Sequence, residues 1–206
     1  MPKHFQAKEK LKIHHCLIEE GKKSWKRYGI KHSNVEEICN AVGISKGSFY
    51  SFFDSKELLF MEIFETSEQQ VKKVLMDVAL NHKGSSKERF VSALSKVFEE
   101  VRDNPWLSSL MGNKEEYEYL IRKLPQERVV KHNDGDDEDA QKFMSLLVSD
   151  IKDVDIKTVS AAIKGIFFIL MHEEEIGKEN IESVFNMLLE GLAERLFGRG
   201  LDDRSK

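Results

Sequence analysis

The stretch "AVGISKGSFYSFFDSKELLF", residues 41–60, places four phenylalanines and a tyrosine within the twelve positions from Phe49 to Phe60, in a chain whose aromatic content is only 9%. The same segment holds Gly43, Gly47, Lys46 and several serines. Gly43 suits the end of one helix and Ser45 the start of the next, so the segment reads as helix, tight turn, helix. In the second helix Phe49 and Phe53 fall one turn apart, on one face. Packed against Val35, Ile38, Val42 and Ile44, they leave Lys46, Gly47, Ser48, Tyr50 and Ser51 on the other.

That second face is small, polar and singly basic, which suits the major groove of a DNA duplex. Gly47 lets the backbone approach, Lys46 can donate to guanine acceptors, and serine hydroxyls serve base edges or phosphates. Tyr50 offers a phenolic donor to the sugar-phosphate wall. Ser33, Asn34 and Lys56, near the starts of the flanking helices, are candidate phosphate contacts assisted by the helix dipoles.

Working outward, residues 5–28 read as an amphipathic helix, with Phe5, Leu11, Ile13, Leu17, Ile18 and Trp25 on one side and a C-cap at Gly29. Ser33 with Glu36 has the spacing of a capping box for the helix ending at Gly43. Asp54 or Ser55 then caps a long helix running to about residue 81. Further helices are expected at about 87–102, briefly after Pro105 and Trp106, and at about 114–123, 139–152, 156–176 and 179–197. "KHNDGDDED", residues 131–139, reads as an exposed acidic loop and "RGLDDRSK", residues 199–206, as a frayed tail. The expected fold is all-α with about nine helices, a boundary near residue 56 dividing residues 1–56 from 57–206.

Composition narrows the function. The net charge is −4, yet residues 1–56 carry 11 Lys and Arg against 6 Asp and Glu, a balance of +5, while the remainder stands at −9. The basic third is where a polyanion partner is expected. The longest apolar run, Ile166 to Met171, falls far short of the roughly 20 residues of a membrane span, and the charged N-terminus lacks a secretory signal pattern, so a cytoplasmic location is expected. Cys16 and Cys39 have no metal-site or disulfide spacing and read as small core residues.

Enzyme motifs fail on inspection. His172-Glu173-Glu174-Glu175-Ile176 begins like a zinc-protease helix but puts Ile176 where the second histidine is needed, and the 134–140 acidic run has its glycine in the wrong place for a calcium loop. No phosphate-binding glycine loop or nucleophile elbow is present, so no catalytic residue, metal or cofactor is assigned. The alternative that remains is an adaptor that keeps a DNA-binding fold for a protein partner.

Residues 11–60 resemble the DNA-binding domain of the TetR family of bacterial transcriptional regulators. The matching string is "YGIKHSNVEEICNAVGISKGSFYSFFDSKELLF", with Gly29, Ser33 and Asn34, Gly43-Ile44-Ser45, Lys46-Gly47-Ser48-Phe49-Tyr50, Phe53 and Ser55-Lys56-Glu57 at the family's positions. It departs at Phe52, where the family often has His or Tyr, and at Gly21, Lys22 and Ser24, where it usually has Ala or Leu. The resemblance implies an N-terminal three-helix helix-turn-helix domain, with DNA contacts at Lys46, Gly47, Ser48, Tyr50 and Ser51 and phosphate contacts at Ser33, Asn34 and Lys56. It also implies a C-terminal ligand-binding and dimerisation domain, and a repressor released from a palindromic operator by a small molecule.

The last two predicted helices agree with a homodimer independently. Ile163, Ile166 and Leu170, with Phe185, Leu188 and Leu192, form apolar stripes, and both helices are apolar on more than one face, which calls for a further partner. For a partly hydrophobic effector the aromatic and methionine content offers Phe98, Trp106, Phe143, Phe167, Met171 and His172 as lining candidates.

Overall fold

The computed structural model describes residues 6–104, 106–107, 110, 113–147 and 155–198. It is all-α, with no strand among the described residues. In chain order the helices are α1 (Ala7–His32), α2 (Val35–Val42), α3 (Lys46–Phe49), α4 (Lys56–Asn81), α5 (Ser86–Asp103), α6 (Lys114–Lys123), α7 (Gln126–Leu147), α8 (Ile156–Phe167), a 3-10 turn at Phe168–His172, α9 (Glu173–Ile176) and α10 (Ile181–Phe197). Phe5, Pro105 and the tail from residue 199 lie outside the described residues.

The chain divides into two compact units, one of residues 1–68 with 113–126, the other of residues 69–112 with 127–206. In the first, Leu17, Ile18 and Trp25 of α1 are buried, as are Leu59, Phe60 and Ile63 of α4. Trp25 sits edge-on to Phe60, with ring centroids 5.5 Å apart. Gly21 permits this approach, since a methyl group there would lie 2.6 Å from Ile63 Cδ1. The sequence departures at Gly21 and Ser24 are therefore fitted to the packing: Ser24 is buried and donates to the Ser33 hydroxyl at 2.8 Å.

In the second unit α5 packs against α10, with Phe98 stacked on Phe185 at 4.1 Å and Phe167 edge-on to the same ring at 5.4 Å. Phe90 joins Phe143 of α7 and Phe197 of α10, at 5.7 and 5.4 Å. Ser85 and Glu88 form a full capping box at the start of α5, and Arg89 caps the end of α4 through the Ala79 carbonyl.

The backbone breaks at Gly29 as expected (φ 72°, ψ 167°), and a separate turn, Ile30–His32, follows before α2. Two expectations are corrected. The helix expected at 156–176 tightens into a 3-10 turn from Phe168 before a last α-helical turn. The acidic stretch 131–139 is no loop but the middle of α7. What makes it helical lies outside its own sequence: Asp136 accepts from Lys72 at 2.7 Å and faces Lys164 at 2.8 Å, and Asp139 lies 3.1 Å from Lys72. These ammonium groups neutralise a run of charge that would otherwise repel itself.

Candidate nucleic-acid interface

The helix-turn-helix is built by local signals that the structure carries out in detail. Gly43, at φ 80° and ψ 32°, is a left-handed C-cap for α2, and its N–H and that of Ile44 close the last turn on Cys39 O. Ser45 Oγ accepts from Ser48 N at 3.1 Å and starts α3. Ser55 Oγ accepts from Leu58 N at 3.2 Å and starts α4. Phe49 is fully buried and Phe53 nearly so, with ring centroids 5.8 Å apart. Removing the Phe49 ring would cost about 3–5 kcal/mol by the usual cost of emptying such a site. Cys39 belongs to the same core, where burial pushes its thiol above the ordinary range, so it is packing and not a reactive group.

Opposite these rings Lys46, Gly47, Tyr50 and Ser51 are exposed. A methyl group built on Gly47 would meet only Ser45 Oγ, at 3.8 Å, so the surface beside it is open. The Tyr50 ring stands edge-on to Phe49 at 5.3 Å, and the residue is half exposed. Ser51 donates to Ser48 O at 2.6 Å. Ser48 itself is buried, and its hydroxyl bonds that of Ser45 at 2.9 Å, so it shapes the start of α3 and does not share the open face.

The three flanking candidates part company. Asn34 is exposed and caps α2 with its oxygen, at 2.9 Å from Glu36 N, in place of the expected Ser33–Glu36 capping box. Ser33 is buried; its hydroxyl donates to Gly29 O at 2.7 Å and accepts from Ser24. Lys56 turns its ammonium onto the carbonyls of Ile30, Lys31 and Ser33, at 3.1, 2.9 and 3.3 Å, so it closes the end of α1.

Sequence spacing gave no sign of the contribution from α6. Asn113 caps this helix, Leu120 is fully buried, and Tyr117 sits 5.7 Å from the Phe64 ring. Tyr119 donates to Glu57 at 3.2 Å, and Glu116 accepts from the Ile30 N–H. The available sequence signal was the apolar group Tyr117, Tyr119, Leu120 and Ile121 on an otherwise charged helix.

The pattern of the bacterial regulatory proteins of the tetR family matches residues 17–63. This span holds all of α2, α3 and the described caps. The match covers 47 of the 206 residues and is confined to the N-terminal part of the chain. Over 56 residues it is 34% identical to the uncharacterised HTH-type transcriptional regulator YhgD of Bacillus subtilis (strain 168), which covers 27% of this chain and 29% of that relative. The fold is similar to that of several solved structures. A transcriptional regulator of Rhodococcus sp. Rha1 superposes with TM-score 0.61 at 14% identity, covering 88% of this chain and 96% of that one. FadR of Bacillus subtilis, solved in complex with stearoyl-CoA, gives 0.56 at 18% identity, covering 90% and 98%. FadR of Bacillus halodurans gives 0.57 at 15%, covering 92% and 98%. These relatives are described as regulators.

Residues expected to line a ligand site or the dimer face are spread between core and surface. Phe98, Phe143 and Phe167 are packed in the core of the second unit, whereas Trp106, Met171 and His172 are half-buried. Phe185, Ile166 and Leu170 are also core. Ile163 and Leu192 are half-buried, and Leu188 is 44% exposed. Met187 (74% exposed) and Phe168 (42% exposed) are apolar surface that periodicity did not single out. No helix among the described residues is long and apolar enough to cross a membrane.

Proposed function

We propose that this protein is a homodimeric, sequence-specific DNA-binding regulator of the TetR family, which occupies a two-fold symmetric operator as a repressor and leaves it when a small molecule binds the second unit. The observation that carries the reading is the division of labour within residues 46–53: Phe49 and Phe53 are spent on the core, while Lys46, Gly47, Tyr50 and Ser51 form an open polar face. A dimer sets two such helices into successive major grooves about one helical turn apart. Asn34 adds a phosphate contact at the start of α2.

Release follows if the effector binds one arrangement of the second unit better than the other, which shifts the population away from the form that fits the operator. The aromatic interior of that unit favours a partly hydrophobic effector. Acyl thioesters are the first class to try, because FadR of Bacillus subtilis was solved with stearoyl-CoA.

The test is selection from fragmented genomic DNA of the source organism at two salt concentrations, followed by sequencing of what is retained. The expected result is a small set of fragments sharing a two-fold motif at the higher salt. Retention of no DNA, or of all fragments alike, overturns the reading.

A further inference from the structure

Six hydrogen bonds from four side chains converge on the short joint Gly29–Ser33, between α1 and α2. Lys56 holds three of its carbonyls, the Ser33 hydroxyl donates to Gly29 O, Ser24 donates to Ser33, and the Glu116 carboxylate accepts the Ile30 N–H. The first three come from α1 itself, the joint, or the start of α4. Glu116 comes from 86 residues along the chain. Its socket is specific, for a side chain at Gly29 would place its Cβ 2.6 Å from Glu116 Oε1, and the backbone there has φ +72°. The break at Gly29 exposes the Ile30 N–H as the first donor of a new helical turn, and the carboxylate satisfies it as a capping residue would.

The segment that carries Glu116 has an unusual place in the chain. Residues 113–126 belong to the first unit, yet the residues before Asn113 and after Gln126 belong to the second. Both ends of α6 are thus continued along the chain by residues of the second unit. Tyr119 and Tyr117 hold α6 against Glu57 and Phe64 of α4, so Glu116 reaches the joint from a fixed base.

We propose that Glu116 is a positioning residue for DNA recognition, which locks the joint that aims α2 and α3. This rests on the DNA-binding reading above. It gives that reading a specific point of control, since loss of the carboxylate frees a backbone turn immediately before Asn34 and leaves the α3 face untouched.

The test compares Glu116→Ala and Glu116→Gln with the full-length wild type, by residue-resolved amide hydrogen exchange without DNA and by binding to a fragment recovered in the genomic selection, over a range of salt. Glu116→Ala is expected to speed exchange at Ile30 about tenfold, the scale of one lost charge-assisted bond, with Leu59 and Phe60 amides unchanged. Fragment affinity should fall about as much while the salt slope stays the same, because no phosphate contact is lost. Glu116→Gln, which keeps an acceptor, should recover most of both. Unchanged exchange at Ile30 would show there is no lock. Faster exchange with unchanged affinity would show that the lock does not aim the reading helices, and an altered salt slope would make Glu116 part of the DNA surface. Should the selection yield no specific fragment, the DNA-binding reading falls and this inference with it, whatever exchange at Ile30 shows.

Discussion

Lys46 and Lys56 carry the same charge ten residues apart, and their surroundings give them different work. Lys46 is exposed beside Gly47, so Lys46→Ala is expected to leave the thermal midpoint unchanged and to lower discrimination between operator and altered operator by about 1–3 kcal/mol. Competition binding with single-base operator variants measures this. Lys56 spends its ammonium on three carbonyls, and so Lys56→Ala should lower unfolding stability by about 1–2 kcal/mol, the worth of charged hydrogen bonds at a partly buried site. A denaturant midpoint shift checks it; an unchanged midpoint with a shallower salt slope would return Lys56 to the phosphate-contact role. At this scale the sequence was a good guide to short-range devices, such as the Gly43 and Ser45 caps, whose partners lie within a few residues. It gave no sign of the partner of Ser33, whose hydroxyl meets Ser24 nine residues away, or of the partners of Lys56, carbonyls 23 to 26 residues back.

Among the elements, α7 differs most from what its residues suggest alone. Asp134, Asp136, Asp137, Glu138 and Asp139 around a glycine favour a solvated loop, but α4 and α8 supply Lys72 and Lys164 to the buried face. Local patterning cannot register charges brought from 60 residues before and 30 after, which is why the loop reading failed while α5, capped by its own Ser85 and Glu88, was legible. Burial alone would raise the Asp136 carboxyl, but the hydrogen bonds and charges of Lys164 and Lys72 outweigh it and hold the group below the ordinary aspartate range. A folded-state value below the unfolded one stabilises at neutral pH, and the contribution is lost as pH falls through the folded value. Asp136→Asn is therefore expected to cost about 2 kcal/mol at pH 7, and to cost less and less as the solution is acidified below the ordinary aspartate range. Urea unfolding of both proteins at several pH values reads this directly, and a pH-independent difference would deny the ion pair its role.

For the molecule as a whole, the question is what covers the apolar surface of α10 and the adjoining 3-10 turn. The sequence showed that the last two helices are apolar on more than one face, but not which side each residue takes. Phe185, in the expected stripe, is wholly enclosed and stacked on Phe98, whereas its neighbours Met187 and Leu188 are exposed. Periodicity fixes that two faces exist; only the packing of α5 and α8 decides which is spent inside one chain. Under the dimer reading, Met187, Leu188 and Phe168, with half-buried Leu192 and Ile163 at the margin, meet the same residues of a second copy. Met187→Glu with Leu188→Glu places charges where that contact needs apolar surface and touches no core ring. Wild type should sediment at twice the 23.8 kDa chain mass and the double variant at that mass, with helical content unchanged. Since two linked reading heads bind far more tightly than one, operator affinity should fall about a hundredfold or more, while contact with a single half-site persists. A double variant that remains dimeric would move the interface away from α10.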